Sequence, residues 1–189
     1  MKPTIPSLGY ALLGLIHQKP ASGYDLRKIF SSTSMRTYSD SPGAIYPALR
    51  RLQKQGLIRG TVEKASGLRQ RQMFRLTPEG RAELKKWITQ PIASADLHRS
   101  LEEIMLRFAF SESVAGPSAS IALLKSLHSA LTASVAALHA EFEASHKSMP
   151  LSARLAFESG VRSTECLLQW TEYALASYQK HARKKGSAS

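Results

Sequence analysis

The stretch SPGAIYPALRRLQKQG, residues 41–56, decides the fold. It is punctuated as one helix: Ser41 can cap the first turn, Pro42 suits the first helical position, and Gly56 can supply a left-handed terminus. On a helical wheel its apolar side chains form one narrow stripe: Ile45, Leu49 and Leu52. The opposite face carries Gly43, Pro47, Arg50, Arg51 and Lys54. The stretch therefore predicts a helix with its back in a core and a basic face in solvent.

Two shorter helices are predicted ahead of this segment. The first covers residues 8–19, because its apolar residues recur at helical spacing and Pro20 prevents a longer run. The second begins at Ser22, which can form a Ser-x-x-Asp capping box with Asp25. A serine-rich connector, residues 31–39, joins it to the helix predicted within residues 41–56.

A β-hairpin is predicted next, with strands at residues 57–63 and 69–76 and a flexible tip at residues 65–67. Alternation divides the second strand into two faces, with Gln72, Phe74 and Leu76 on one and Arg69, Arg71, Met73 and Arg75 on the other. The outer edge of the hairpin is therefore expected to be basic.

The rest of the chain has the pattern of helices. Thr77 and Pro78 repeat the cap-and-proline signal and start a fourth helix that Pro91 ends. A short apolar helix is predicted at residues 101–110, followed by a break at residues 111–118.

Two long helices are predicted at the end. The first carries a heptad seam with one polar intruder: Ile121, Leu124, His128, Leu131, Val135, Leu138 and Phe142. The second, residues 151–178, carries two adjacent apolar stripes: Phe157, Val161, Leu168, Leu175 and Tyr178 on one, and Leu167, Trp170 and Ala174 beside it. So wide an apolar surface is expected to pack both within the chain and against a second subunit. The basic tail, residues 181–189, is expected to be disordered.

Composition and charge narrow the function. The chain has 189 residues, of which 43% are hydrophobic, so it can bury a core. Its net charge of +12 is uneven: residues 1–90 carry 16 basic and 5 acidic side chains, and residues 91–189 carry 10 and 9. A positive charge confined to one half indicates a surface for a polyanion, usually nucleic acid or an anionic membrane.

Membrane insertion and secretion are disfavoured. The longest uninterrupted apolar run, residues 11–16, is far shorter than the roughly 20 residues of a spanning helix. The polar residues after it give no convincing signal-peptide cleavage site. The single cysteine, Cys166, cannot form an intramolecular disulfide, so a cytoplasmic protein is the simplest interpretation.

The order of the elements predicts a fold class. Three helices, a hairpin and a fourth helix, with a basic third helix and a basic hairpin, are the layout of a winged helix-turn-helix. The prediction is a mainly α protein with a small β-hairpin: an N-terminal winged helix-turn-helix at residues 1–90 and a C-terminal helical dimerisation and effector domain at residues 91–180. In this layout the third helix enters the major groove of duplex DNA, and the wing lies against the backbone or minor groove.

Several strings, in order, carry a family resemblance: LGYALLGL (residues 8–15), KPASGYDL (19–26), SPGAIYPALRRL (41–52), GLI (56–58) and RLTPEG (75–80). With this order and spacing the sequence resembles the PadR family of bacterial transcriptional regulators. The resemblance covers about half of the chain. It implies a sequence-specific DNA-binding homodimer, usually a repressor, that binds a palindromic operator and responds to a phenolic or hydrophobic small molecule.

The resemblance also implies roles for particular residues. It assigns the DNA-facing role to the Ser-Pro-Gly-x-x-Tyr-Pro string, with the Tyr46 hydroxyl reaching a phosphate. The wing departs from the family pattern, because residues 72–74 read Gln-Met-Phe where a basic residue and two tyrosines are common. The candidate DNA-binding residues from both lines of reasoning are Tyr24, Ser41, Pro42, Gly43, Ala44, Tyr46, Pro47, Arg50, Arg51, Lys54, Arg69, Arg71 and Arg75.

Other kinds of site are less favoured. His128, His139 and His146 share a helix face but are separated by roughly 16 and 10 Å along it, too far to hold one ion, so no metal and no cofactor are predicted. His128 could fix the heptad register or act as a pH switch. Cys166 is expected to be an inert packed thiol. An aromatic effector pocket between subunits could be lined by Trp87, Phe108, Phe110 and Trp170.

Two other classes of function, an enzyme and a basic interaction module, are disfavoured. No catalytic constellation is present, since the chain lacks a glycine-rich phosphate loop and a Gly-x-Ser-x-Gly elbow, so an enzyme is not predicted. The competing hypothesis is a basic helical module that binds an anionic membrane surface or a protein partner. A membrane-binding module would require bulky apolar residues beside its cations. The basic face of the helix predicted within residues 41–56 has no Trp, Phe or Leu.

Overall fold

The computed structural model describes residues 5–33, 35, 41–64, 70–97 and 101–186. The chain divides into two compact units. The sheet unit comprises Met1–Ile88 with Ser113–Ala115, and the helical unit comprises Thr89–Glu112 with Gly116–Ser189. The hairpin tip predicted at residues 65–67 lies outside the described residues.

The described elements follow the predicted order closely. In chain order they are α1 (Ser7–Gln18), β1 (Ala21–Ser22), α2 (Gly23–Ser32), α3 (Pro42–Lys54), β2 (Ile58–Lys64), β3 (Gln70–Leu76), α4 (Pro78–Thr89), α5 (Ser94–Leu97), α6 (Leu101–Ala115), α7 (Pro117–Ser145), a 3-10 turn (His146–Ser148) and α8 (Leu151–Gly186). The predicted class, mainly α with a small antiparallel sheet, is confirmed.

The sheet has three strands where the sequence predicted two. Its order is β1-β3-β2, with both pairs antiparallel. The additional strand is only two residues long, and it pairs Ala21 with Phe74 and Ser22 with Met73. A strand this short leaves no alternation to read, which is why the sequence did not reveal it.

The core of the sheet unit confirms the helical stripes. In α3 the predicted apolar side chains are almost completely buried, with exposed fractions of 0% for Ile45, 1% for Leu49 and 2% for Leu52. Other fully buried side chains come from each packed element: Leu12, Leu13, Leu26, Phe30, Ile58, Leu84 and Ile88. Burial of this apolar surface is the main favourable contribution to folding of the unit.

A junction at Thr77 closes the sheet unit. Its hydroxyl lies 2.7 Å from the carbonyl of Gly56 and 3.1 Å from that of Leu57, and it accepts the N–H of Gly80 at 3.0 Å. The Thr77 N–H also donates to the Leu57 carbonyl at 3.1 Å. These bonds join the end of α3 to the start of α4 and set the two ends of the hairpin side by side.

The helical unit has its own core, built around one face of α7. The buried cluster consists of Ile92, Ile104, Leu123, Leu127, Ala130 and Leu131. Of the predicted heptad seam only Leu124 and Leu131 are fully buried, while His128 is half-exposed and lies 3.5 Å from Glu172 of α8. The seam thus marks one edge of the α7 contact, and the buried face is rotated toward Leu123 and Leu127.

The break predicted at residues 111–118 is wrong for most of its length. Helix α6 continues to Ala115, and only Gly116, with φ of 83°, interrupts the chain before α7. The Ser111 and Ser120 hydroxyls are both completely buried and lie 2.7 Å apart. Serine composition suggested a loop, but here the buried hydroxyls satisfy each other across two helices.

Two predictions for α8 also need correction. The helix continues to Gly186, so the tail does not become disordered at residue 181; its Lys, Arg and Ala residues are good helix formers. Residues 187–189 lie outside the described residues. Cys166 was expected to be packed but is exposed, because it lies on the outer face of α8.

Helix α7 with its following turn, Pro117–Ser148, is long and apolar enough to cross a membrane by length and composition alone, with a mean hydropathy of 1.5. Polar residues interrupt its apolar residues, so the longest uninterrupted apolar run in the sequence, residues 11–16, does not reveal it. Core helices of soluble proteins pass the same test, so this is weak evidence for a span. Here Leu123 and Leu127 pack in the core, and His139 lies 2.8 Å from Glu165 of α8.

We predict that Gly80→Ala strongly destabilises the sheet unit. A Cβ at this position would lie 1.9 Å from the Leu57 carbonyl oxygen, a backbone atom that cannot move without opening the Thr77 junction. The expected loss in the free energy of unfolding is about 3 kcal/mol. Urea denaturation of the variant, followed by the fluorescence of Trp87, measures this loss.

Gly160→Ala is the matched control, because a Cβ at that helical position meets nothing within 4 Å. Removing a glycine from the interior of α8 should raise the stability of the helical unit by about 1 kcal/mol. Equal effects of the two substitutions would show that the contact with Leu57 is not what excludes a side chain at Gly80.

Candidate nucleic-acid interface

The start of α2 is held by the predicted capping box. The Asp25 N–H donates to the Ser22 hydroxyl oxygen at 3.2 Å, and an Asp25 carboxylate oxygen accepts the Ser22 N–H at 3.1 Å and its hydroxyl at 2.6 Å. Hydrogen bonding by the Ser22 side chain is the main cause that lowers the pKa of Asp25 below its ordinary value of 3.8, with further help from the nearby charges of Arg71 and Lys19. The cap therefore fixes the backbone that carries Tyr24.

The ring of Tyr46 packs directly on Gly23. A Cβ at Gly23 would lie 2.6 Å from Cε1 of Tyr46, so only glycine leaves room for the ring. Tyr46 nevertheless keeps 41% of its surface exposed. The absence of a side chain at the first residue of α2 thus positions an exposed tyrosine of α3.

Two arginines flank the neighbouring tyrosine. The guanidinium carbon of Arg27 lies 5.9 Å from the centre of the Tyr24 ring, and that of Arg71 lies 6.0 Å from it. Both distances suit cation–π contacts, which hold a guanidinium group beside a ring while leaving its N–H donors available. Arg27 comes from α2 and Arg71 from β3, so the contact joins the helix to the wing.

These side chains line an open polar cleft of about 600 Å³. Its walls are Ser22, Gly23, Tyr24, Arg27, Tyr46, Arg71, Gln72 and Phe74. Two guanidinium groups and two tyrosine hydroxyls supply hydrogen-bond donors, and none of these lining residues is acidic. An arrangement of this kind can bind an anion with several oxygens, such as a phosphate group.

The exposed face of α3 lies as predicted. The Ser41 hydroxyl accepts the Gly43 N–H at 3.2 Å, which confirms Ser41 as the N-cap, and Pro42 is the first residue of the helix. Ala44 is half-buried. The remaining candidate side chains of this helix are exposed: Pro47, Arg50, Arg51 and Lys54.

The described cations of the wing have different surroundings. Arg71 and Arg75 are both exposed, but Arg75 forms an ion pair with Glu63 of β2 at 3.0 Å. Arg69 lies outside the described residues. Of the two described cations on this strand face, Arg71 lines the cleft and Arg75 does not.

Arg27 is the residue that sequence reasoning missed. Its sequence signal was available, because Arg27 lies three residues after Tyr24 and therefore on the same face of a helix. Its significance arises from Arg71, which approaches the same ring from a strand far along the chain.

Some residues proposed for an aromatic pocket belong to the cores instead. Trp87 is 6% exposed and stacks on Tyr10 with ring centres 4.1 Å apart, and Phe110 is 4% exposed. Phe108 and Trp170 are partly buried and meet edge to face in the helical unit. Within the described residues no group of three or more His, Cys, Asp or Glu side chains could hold a metal ion.

A family model described as the transcriptional regulator PadR-like family matches residues 12–86. Through this segment, less than half of its length, the chain is similar to the PadR-like family of transcriptional regulators. The matched residues contain the cap of α2, the exposed face of α3 and the wing. The prediction that the chain is not an enzyme agrees with the description of this family.

Curated relatives described as transcriptional regulators match over less than half of the chain. The negative transcriptional regulator PadR of Bacillus subtilis is 33% identical over 87 residues, which are 45% of this chain and 48% of the relative. The chain thus spans about half the length of the curated relatives it matches.

Solved structures of PadR-like proteins align over more of the chain. Bacillus subtilis PadR in complex with operator DNA is 25% identical, with 93% of this chain and 99% of that chain covered and a TM-score of 0.44. The same protein in complex with p-coumaric acid is 25% identical, with 95% and 99% covered and a TM-score of 0.39.

We predict that Ser22→Ala destabilises the sheet unit by about 1 kcal/mol at neutral pH, because it removes the cap of α2. The effect should depend on pH. Since the folded state lowers the pKa of Asp25, the stabilisation is complete above pH 3.8 and is lost as the pH falls through the lower, folded value. The difference between variant and parent should therefore shrink below pH 3.8, as measured by urea denaturation across pH 2 to 7.

Asp25→Asn is the control for this pH dependence, because an amide cannot titrate in that range. Its stability difference from Ser22→Ala should stay nearly constant between pH 2 and pH 5. A Ser22→Ala deficit that is the same at pH 2.5 and at pH 7 would contradict the coupling of the cap to the Asp25 charge.

Proposed function

We propose that this protein is a sequence-specific DNA-binding transcriptional regulator. The observation that carries the proposal is the polar cleft between α2, α3 and β3, in which Arg27, Arg71 and two exposed tyrosines surround space for a phosphate. Duplex DNA presents phosphates in a regular row, and contacts to them provide much of the affinity of such proteins. The match of residues 12–86 to the PadR-like family model supports the same function.

The roles of the two surfaces differ in this proposal. Helix α3 enters the major groove with its N-terminal residues Ser41, Gly43 and Ala44 near the base edges, while Arg50, Arg51 and Lys54 approach the backbone. Tyr24, Tyr46 and Arg71 bind phosphates beside it. Base discrimination then resides mainly at the start of α3, and the cleft contributes affinity that is nearly independent of sequence.

The regulator is proposed to be a cytoplasmic repressor. The Bacillus subtilis relative, which shares the matched N-terminal region, is described as a negative transcriptional regulator. A repressor needs a signal that releases it, and a small aromatic or hydrophobic effector bound in the helical unit would serve. The aromatic side chains of Trp170 and Tyr178 support this part of the proposal because both contact the ring of Phe108 there.

We further propose a homodimer formed through α8. Three large side chains stay exposed on one face of this helix, with exposed fractions of 62% for Leu151, 52% for Leu155 and 71% for Tyr173. At 100° per residue they fall within about 40° of one another. A two-fold dimer would present two winged helices to a palindromic operator whose half-sites lie about one helical turn apart.

The membrane-surface alternative has one observation in its favour, the apolar composition of α7. The basic surface, however, belongs to the sheet unit, where exposed Arg51 and Lys54 lie in α3 with Pro47 and Gln53. The exposed aromatic side chains that line the cleft with Arg27 and Arg71 are tyrosines with hydroxyl groups rather than bulky apolar side chains. Amphipathic membrane-binding helices place such side chains next to the cations. DNA is therefore the favoured polyanion.

We predict that Arg27→Gln and Arg71→Gln each weaken binding to operator and non-operator DNA by similar factors. Each substitution removes one phosphate contact, so the slope of log K against log salt should fall in magnitude by about 0.9. Fluorescence anisotropy with both duplexes over a range of salt concentrations measures affinity and slope together.

Arg162→Gln is the matched control, because this exposed arginine belongs to α8 of the helical unit. It changes the net charge by the same amount and should leave the slope nearly unchanged. If all three variants shift the slope equally, general electrostatics rather than the cleft binds the DNA. If none does, the cleft has no part in DNA binding.

We predict that the double substitution Leu155→Glu with Tyr173→Glu converts the dimer into monomers. The introduced charges would face each other across an apolar contact and could not be solvated there. Sedimentation velocity at micromolar concentration should show a dimer for the parent and a monomer for the variant.

Ala153→Glu with Gln179→Glu tests for an effect of charge alone, because both residues are exposed but lie on other sides of α8. This control should remain dimeric. A parent chain that sediments as a monomer, or a double variant that stays dimeric, would exclude this face as the subunit contact.

A further inference from the structure

A second cavity, of about 510 Å³, opens within the helical unit. It lies where Glu112 of α6, Pro117 and Ile121 of α7, and the last described turns of α8 around Tyr178 meet. Its volume is in the range that accommodates small organic ligands. None of its lining residues was singled out as an effector residue by the sequence.

The lining residue Tyr178 belongs to a chain of hydrogen-bonded side chains that extends from the cavity into the interior of the helical unit. The Tyr178 hydroxyl donates to Glu112 Oε2 at 2.8 Å and is also hydrogen-bonded to Ser120. Ser120 is completely buried and lies 2.7 Å from the equally buried Ser111, whose hydroxyl donates to the Phe108 carbonyl at 2.8 Å. Burial raises the pKa of Tyr178, so this hydroxyl keeps its proton and remains a donor to the carboxylate.

The groups that line the cavity therefore offer more hydrogen-bond acceptors than donors. The Tyr178 proton is engaged by Glu112, and the Ser177 hydroxyl donates to the Tyr173 carbonyl at 2.8 Å. What these groups can still offer is acceptor lone pairs, together with the negative charge of the Glu112 carboxylate. Only His181, among the polar lining residues, can supply a further donor. A bound molecule must accordingly donate more than it accepts.

The rest of the lining is apolar. Pro117, Ile121 and Ala182 provide hydrocarbon surface in the same cavity as Glu112 and Tyr178. The ring of Tyr178 is itself packed edge to face on Phe108, with ring centres 6.4 Å apart. A flat apolar group can be buried against this surface while a polar substituent at one end reaches Glu112.

We propose that this cavity binds an apolar aromatic molecule that carries a hydrogen-bond donor, preferably an amine, and that it discriminates against carboxylates. The ammonium group of such a ligand pairs with the Glu112 carboxylate, and its ring lies on Ile121 and Pro117. A carboxylate in the same place would meet another carboxylate and a set of acceptors.

This inference deepens the effector part of the proposed function and does not depend on the DNA-binding part. It assigns the ligand site to the end of α8 rather than to the larger aromatic side chains. It also distinguishes this chain by ligand charge from any regulator whose effector is a phenolic acid.

The test is isothermal titration calorimetry of the full chain with three ligands that share one phenol ring: tyramine, which has an ammonium group, 4-ethylphenol, which is neutral, and 3-(4-hydroxyphenyl)propionate, which is anionic. All titrations are run at pH 8 in one low-salt buffer. Tyramine should bind tightest, and its affinity should exceed that of the propionate by on the order of tenfold at low salt.

Two variants identify the site. Glu112→Gln keeps an acceptor for the Tyr178 hydroxyl but removes the charge, so the preference for tyramine over the propionate should be lost. Ala182→Phe places a ring at the rim and should weaken all three ligands. Glu141→Gln, an exposed carboxylate of α7 outside the cavity, is the control and should change neither affinity nor preference.

The outcomes separate this inference from the proposed function. If the propionate binds as tightly as tyramine, if Glu112→Gln keeps the preference, or if no ligand binds at millimolar concentration, the inference is overturned. A mobility shift with operator DNA is run on the same samples. DNA binding that persists without ligand binding rejects the cavity alone, whereas ligand binding without DNA binding rejects the regulator function and leaves the cavity standing.

Discussion

The sheet unit depends on a contact in which a side chain is missing. Gly80 approaches the Leu57 carbonyl so closely that a Cβ would lie 1.9 Å from its oxygen. This approach lets Thr77 bond the end of α3 through its hydroxyl and its N–H while receiving the N–H of Gly80. Because the same carbonyl precedes β2 and the same threonine follows β3, the junction determines how the hairpin leaves α3. The position of Arg71 relative to α2 follows from it.

A second missing side chain arranges the polar cleft. Gly23 leaves room for the Tyr46 ring. The preceding residue, Ser22, caps α2 and, as part of β1, pairs with Met73 of β3. The same cap engages the Asp25 carboxylate, whose negative charge also interacts with Arg71. Its hydrogen bonds hold that charge against the start of α2, where a helix stabilises a negative group. The arrangement thus combines a stable helix start with a basic surface.

The parts that could be predicted from the sequence are those set by local pattern. Helical spacing alone places Ile45 and Leu49 on one stripe, and both side chains are buried as predicted. What could not be predicted rests on partners distant in the chain: β1 is too short to show alternation, and Arg27 gains meaning only from Arg71. The predicted break at Ser111 failed for the same reason, because composition does not reveal that its hydroxyl meets that of Ser120. Local rules predicted the elements, and tertiary contacts decided which side chains form the cleft.

One residue of α3, Pro47, is not explained by the requirements of folding. Pro47 lies inside the helix, where it lacks the N–H that would bond the Gly43 carbonyl, and an interior proline costs about 3 kcal/mol relative to alanine. Pro47 is exposed, so it does not compensate by packing in the core. Departures from local preference tend to occur at functional surfaces. The Gly43 carbonyl cannot receive an N–H from residue 47, and this cost to the helix is consistent with the DNA-facing role proposed for the start of α3.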